Sequence, residues 1–322
     1  MSEPVGETST KVWDVIMIGA GPAALSAAIY TTREDINTLL LDKGPVGGLA
    51  AVTDWIDNYP GFPKGIAGLE LSDLFQKQAV RFGTEFDYAE VNEIVDEGKL
   101  KRLKTTNGDY LAKTILLATG SDYKKVGVPG EREYYARGVH YCATCDGAFY
   151  RDKKLVVVGG GNSAVQEALF LTRYASHIDM LVRNKLRASD ILQQELEKNP
   201  KITVHLGVTT DEIVGDKPVP EGGKVIKVIG TDTATGKKVD FQTDGVFVFV
   251  GLSPNTGFLK SSVELDEIGF IKTDPGLQTK IKGVFAAGDV RSGATMQIAS
   301  ASGEGATAAL MIRHYLEDLE RS

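Results

Sequence analysis

Residues 12–24 read VWDVIMIGAGPAA. The first seven form a short apolar run rich in β-branched residues, the composition of a strand buried on both faces. Gly19, Gly21 and Ala24 then fill the pattern G-x-G-x-x-G/A, with Pro22 and Ala23 between them, and 25–31 continues as a helix. Strand, glycine turn and helix in that order bring the backbone against a pyrophosphate, and the helix N-terminus supplies N–H donors and partial positive charge. A second strand-like run, 38–41, ends at Asp42, 21 residues beyond Gly21. A carboxylate there accepts hydrogen bonds from ribose hydroxyls; the plainer alternative is a surface aspartate after a strand.

The same plan recurs in mid-chain. Residues 155–164 read LVVVGGGNSA, followed by a helical stretch at 165–174 and a strand at 178–182. Gly159, Gly161, Asn162 and Ser163 stand where a second phosphate turn requires them. One such turn is common in α/β proteins; two, each between a strand and a helix, define two dinucleotide sites. The second unit ends differently, in Arg183-Asn-Lys-Leu-Arg187 with no carboxylate. Arg183 and Arg187 are candidates to hold the 2′-phosphate of NADP, because guanidinium presents a fixed fork to phosphate; a solvated basic loop is the alternative. The predicted class is α/β, with two Rossmann-like dinucleotide-binding domains. Apolar runs at 114–120 and 245–251 each stop at a glycine, Gly120 and Gly251, and flank the second unit. A discontinuous domain, 1–119 with 250–322, is therefore expected to carry an inserted domain, 120–249.

Composition agrees with this and excludes other classes. Glycine supplies 36 of 322 residues, about 11% against a usual ~7%. The net charge of −7 argues against a nucleic-acid binder. No apolar run reaches the roughly 18–20 residues of a membrane span. Residues 1–10 lack a basic n-region and an apolar h-region, so a disordered lead-in and a cytoplasmic location are expected.

Both cysteines of the chain, Cys142 and Cys145, lie in CATCDG at 142–147. C-x-x-C permits a disulfide within one turn and lowers a thiol pKa, making thiolate available. A zinc site needs two further soft ligands, and there is no second cysteine pair and only four histidines. A redox dithiol is the expectation. Asp146 follows directly and can supply or take the proton of thiol–disulfide exchange, or cap the next helix.

Taken together, the two turns and the C-x-x-C just before the second resemble the low-molecular-weight, bacterial-type thioredoxin reductases over nearly the whole chain. The resemblance implies bound FAD at Gly19, Gly21, Pro22, Ala23, Ala24 and Asp42. It adds a flavin loop at Gly47, Gly48 and Asn58, then Ala118 and Gly120, the motif ending in Gly288-Asp289, and Gln297. It implies a pyridine nucleotide, NADPH in most members, at Gly159, Gly161, Asn162, Ser163, Arg183 and Arg187. Thioredoxin or a thioredoxin-like protein would be the partner and a homodimer the assembly. Cys145 would lie against the flavin, Cys142 would attack the partner's disulfide, and Asp146 would act as the acid. Three departures stand out: Val182-Arg183-Asn184 replaces the family's His-Arg-Arg, Met296-Gln297 replaces Arg-Gln, and Gly47-Gly-Leu-Ala50 replaces Gly-Gly-Gln-Leu. They put NADH or ferredoxin beside NADPH as donors. A ferredoxin–NADP reductase, a small-molecule dithiol oxidase and a flavin-binding redox sensor are the competing readings; relatives of the first kind lack the cysteine pair.

Overall fold

Valine, isoleucine and leucine runs become parallel strands here because both faces of the sheet they enter are covered, one by helices and the other by strands and loops. The structure, a computed structural model, describes residues 11–53, 55–259 and 263–321. Residues 1–10, expected above as a disordered lead-in, lie outside the described residues. The chain divides into two compact units: one runs up to Asp122 and resumes at Ser253, and the other is Tyr123–Leu252. The short strands Ser121–Tyr123 and Leu252–Pro254 pair with each other where the chain crosses. They follow directly on the glycine-ended runs from which the domain limits 119/120 and 249/250 were read.

In the first unit, Val12–Ile18 is flanked by Thr38–Asp42 on one side and Gly108–Leu117 on the other, all parallel. Ile16 stands opposite Leu39 and Ile115 and is fully buried. Glu85–Tyr88 extends the sheet beyond Thr38–Asp42, and Val284–Ala286 adds in parallel to Gly108–Leu117. Val91–Glu97 and Leu100–Thr105 continue from Gly108–Leu117 as an antiparallel meander. The helices Pro22–Arg33 and Ile298–Arg321 pack together on one face. Gly305 lets them touch: a Cβ there would stand 2.1 Å from the Ala23 carbonyl oxygen. Leu25, Ala28, Leu116 and Ile312 meet in that core, each large side chain stabilising it by about 1.5–3 kcal/mol on burial.

The second unit repeats the arrangement. Lys154–Val158 lies between His177–Val182 and Gly245–Val248, again parallel, and Ile202–Leu206 extends one edge. The two-residue strand Val139–His140 pairs with Gly245–Val248. It occupies in this sheet the place that Val284–Ala286 occupies in the first. A three-stranded antiparallel sheet, Val208–Gly215, Val225–Asp232 and Lys238–Gln242, completes the unit. Among the described residues no helix is long and apolar enough to cross a membrane.

Candidate active site and dinucleotide turns

The two glycine turns have one geometry. Gly21 and Gly161 precede their helices with extended backbone, φ −82° and −91°. Neither Pro22–Arg33 nor Asn162–Leu171 has a side-chain N-cap or an acidic residue in its first turn. The N-terminal amides that an anion would take are thus left without a competing carboxylate. A Cβ on Gly21 or Gly161 would meet nothing within 4 Å. Gly19 and Gly159 are different. Each has positive φ, and a Cβ on either would stand 2.4 Å from a carbonyl oxygen, that of Ala118 or Phe249. Ala24 and its counterpart Ala164 are fully buried, letting helix and strand approach. Both turns therefore fit a dinucleotide: one glycine serves the fold and the next leaves room for the ligand.

Around the first turn the structure gathers Asp42, Gly47, Gly48, Ala118 and Gly288, and elsewhere it pairs Asn58 with Gln297. Asp42 accepts the Ala20 N–H at 2.7 Å on one carboxylate oxygen and the Gly44 N–H at 2.9 Å on the other. Gly47 donates to the Ala20 carbonyl at 2.8 Å. Gly48 lies so near that its Cβ would stand 3.6 Å from the Gly21 Cα. Asn58 donates from Nδ2 to Gln297 Oε1 at 3.1 Å, tying two segments far apart in sequence. Met296, where the family carries arginine, has φ +54° and puts its Sδ 3.8 Å from Ser121 Oγ. Ala118 is buried, and the Gly120 carbonyl accepts from the Asn255 N–H at 3.0 Å. Gly288 donates its N–H to Glu304 Oε2 at 2.8 Å, and Arg291 pairs with the same carboxylate at 2.5 Å. Asp289 beside them is pushed up to about 6, first by burial and then by the Glu304 charge. The sequence offered no sign of Glu304, which reaches back to these partners from the helix Ile298–Arg321.

The second turn is closed by main chain. Arg187 donates its N–H to the Gly160 carbonyl at 2.7 Å, and Ser189 donates to Asn162 Oδ1 at 2.8 Å. These bonds hold the 183–189 loop on the turn, with Arg183, Lys185 and Arg187 exposed. Ser163 is exposed at the helix start. Asn162 is thus a loop clamp as well as a turn residue.

Cys142 and Cys145 form a disulfide across the one-turn helix Ala143–Asp146, with Cα atoms 5.3 Å apart. The chain on either side is anchored. Tyr141, 5% exposed, donates its hydroxyl to Glu131 Oε1 at 2.8 Å, while Glu131 accepts the N–H groups of Val126 and Gly127. Burial and then that carboxylate push the Tyr141 phenol well above its ordinary value. Asp146 makes no capping bond to the following Gly147–Tyr150 turn, which removes the capping alternative. Its carboxylate instead lies 3.1 Å from His140 Nδ1. His140 was not singled out from sequence, because a two-residue strand leaves no periodic trace.

A family model described as pyridine nucleotide-disulphide oxidoreductase matches residues 13–305. The thioredoxin reductase of Bacillus subtilis (strain 168) is 44% identical over 313 residues, covering 97% of each chain. That of Listeria innocua is 42% identical, covering 97% of this chain and 96% of its own. The crystal structure of thioredoxin reductase from Streptococcus pyogenes MGAS5005 matches with a TM-score of 0.91 at 40% identity, covering 96% of this chain and all of the other. Two dinucleotide folds with a disulfide in the second define the class, a flavoprotein disulfide oxidoreductase. The chain belongs to the pyridine nucleotide-disulphide oxidoreductases, in the bacterial-type thioredoxin reductase family.

Proposed function

We propose that the chain is a thioredoxin-disulfide reductase whose Cys142–Cys145 pair is the last carrier before thioredoxin or a thioredoxin-like protein. The observation that carries this is the disulfide itself, set beside Asp146 in a unit that also holds a nucleotide turn. Gly19, Gly21, Asp42, Gly47, Gly48, Asn58, Asp289 and Gln297 are the residues that would hold FAD, and Gly159, Gly161, Ser163, Arg183 and Arg187 would hold NADPH. FAD, when bound, supplies a two-electron relay between the nicotinamide donor and the disulfide.

The residues of the chain do the rest. Once reduced, Cys142 attacks the partner's disulfide as thiolate, Cys145 resolves the mixed disulfide, and Asp146 handles the proton that each leaving sulfur needs. The competing sensor reading would leave the dithiol without turnover. In favour of NADPH over NADH stand Arg183 and Arg187 and the absence of a carboxylate at the end of His177–Val182. A homodimer in the cytoplasm is the setting this reading expects.

Cys145→Ser is expected to abolish thioredoxin reduction, by about a thousandfold or more, since removing a covalent nucleophile removes the step. Anaerobic bleaching of the flavin by NADPH should persist in this variant. Bleaching by reduced ferredoxin or NADH and not by NADPH would overturn the donor assignment. Full thioredoxin turnover in Cys142→Ser would overturn the division of roles.

A further inference from the structure

His140 sits between Asp146, the acid of the reductase reading, and a half-buried phenol. The strand Val139–His140 places it opposite Phe247 in register. The chain then turns back through the cysteine pair, so that Asp146 Oδ2 returns to within 3.1 Å of its Nδ1. On the other side, His140 Nε2 is 2.6 Å from the Tyr150 hydroxyl. The ring stacks on Phe247 at 5.2 Å, and its side chain is 8% exposed.

The surrounding ionisable groups restrict what this trio can do. Tyr150 is pushed well above the ordinary phenol value, first by burial and then by Asp146 and Asp244. It therefore stays a hydroxyl. Tyr135, which also faces Asp146, is raised by burial first and that carboxylate second. Tyr141 turns its hydroxyl away to Glu131. Lys125 lies over the rings of Tyr141 and Tyr135, 3.6 and 5.4 Å from their centroids.

With Tyr150 protonated, both imidazole nitrogens are bonded whether or not His140 is charged. As the neutral ring, Nδ1–H donates to Asp146 and Nε2 accepts from Tyr150. As imidazolium, both N–H groups donate, to Asp146 and to the Tyr150 oxygen. The two states differ by one proton and leave no buried group unpaired, which is what makes other buried titrations costly.

Resting on the reductase reading above, we infer that His140 is a positioning residue for Asp146 and that the two share the exchange proton. Before attack the pair holds a proton, Cys142 is thiolate and Cys145 is thiol. Cys142 Sγ bonds one sulfur of the partner's disulfide, the partner's S–S bond breaks, and its other sulfur leaves as thiolate and takes the pair's proton. Cys145 then gives its proton to the pair, and its thiolate attacks Cys142 Sγ. The Cys142–Cys145 bond forms, the mixed disulfide breaks, and the second partner sulfur takes that proton. The cysteine pair has lost two electrons, the partner has gained two electrons and two protons, and the His140–Asp146 pair ends without its extra proton.

The test is the pH profile of thioredoxin reduction by pre-reduced, FAD-loaded enzyme from pH 6 to 9. Gln can donate to Asp146 but cannot carry a proton. His140→Gln is therefore expected to lose about threefold at pH 6 and about thirtyfold at pH 8.5, moving the alkaline limb to lower pH, within the range of general-acid contributions. In an Asp146→Asn background, His140→Gln should add less than about twofold, because it acts through Asp146. Tyr150→Phe should move the same limb the same way by less, since it strips an acceptor from the imidazolium; it serves if His140→Gln does not fold. A His140→Gln profile that keeps the wild-type shape, lowered by a constant factor or not at all, overturns the inference alone. Undiminished thioredoxin reduction in Asp146→Asn overturns the acid role beneath it.

Discussion

The two dinucleotide units share a backbone and differ in what their strand ends carry. In each, a positive-φ glycine presses on the carbonyl just past the end of the neighbouring strand, Ala118 or Phe249, and a Cβ on the second glycine would meet open space. In the first unit the second strand ends in Asp42, whose carboxylate binds two amides of its own turn region. In the second, the same job falls to main chain, Arg187 N–H on Gly160, and the side chains at that place are cationic. The strands that add to Gly108–Leu117 and Gly245–Val248 diverge further. Val284–Ala286 leads to Gly288 and the half-buried Asp289, whereas Val139–His140 leads to Cys142, Cys145 and Asp146. One architecture thus places an aspartate carboxyl and a disulfide at equivalent ends of equivalent strands, the end at which open parallel sheets bind ligands. The backbone device is generic; the chemistry is set by a few side chains at four strand ends.

The comparison breaks first at the glycines. Gly19→Ala and Gly159→Ala force a Cβ into a carbonyl at positive φ, so each should destabilise its unit by about 2–4 kcal/mol in urea unfolding. Gly21→Ala and Gly161→Ala meet open space, and melting should hold within about 1 kcal/mol. Their loss should appear in binding: FAD released from Gly21→Ala, the pyridine nucleotide alone lost from Gly161→Ala, which stays yellow. If Gly21→Ala unfolds as readily as Gly19→Ala, the separation of fold glycine from ligand glycine is wrong.

Asp289 gives a difference in pH response. Its native value of about 6 lies above the ordinary 3.8, with burial the larger cause and Glu304 the smaller. The folded apoprotein therefore binds an extra proton between about pH 4 and 6. That contribution is full below pH 4 and is lost as pH rises through 6. Asp289→Asn should leave apoprotein stability unchanged at pH 4 relative to wild type and raise it by roughly 2–3 kcal/mol at pH 7. A stability difference that does not change between those pH values would mean the carboxyl is not held protonated.

Much of this could be read from residues alone, and the reasons for the remainder are physical. The runs 12–18 and 155–158 with their glycine turns announced two Rossmann-like units because buried parallel strands and phosphate turns leave local patterns. Cys142 and Cys145 were visible as the only pair in the chain. His140 was not, because its strand is two residues long and its partner Asp146 meets it only after the chain reverses. Glu304 was hidden for a related reason: it reaches Gly288 and Arg291 from the far helix, 13 to 16 positions along. The capping reading of Asp146 failed because a tertiary partner, His140, outcompeted the local amide.

The smallest expected effect separates the strand ends most finely. Arg187 is fixed by its own main chain on Gly160, so removing its side chain leaves the loop bonds in place. Arg187→Ala should raise the KM for NADPH by about tenfold, the loss of one charge-assisted phosphate contact of about 1.4 kcal/mol. It should leave the KM for NADH, which has no 2′-phosphate, within about twofold. Arg183→Ala should act in the same direction, and the pair should be less than additive if both reach one phosphate. FAD content should not change in either variant, because the residues proposed for FAD lie in the other unit. Equal effects on NADPH and NADH would mean that the cationic strand end serves the loop or the solvent rather than the nucleotide, and that only the first of the two units reads its ligand through the end of its second strand.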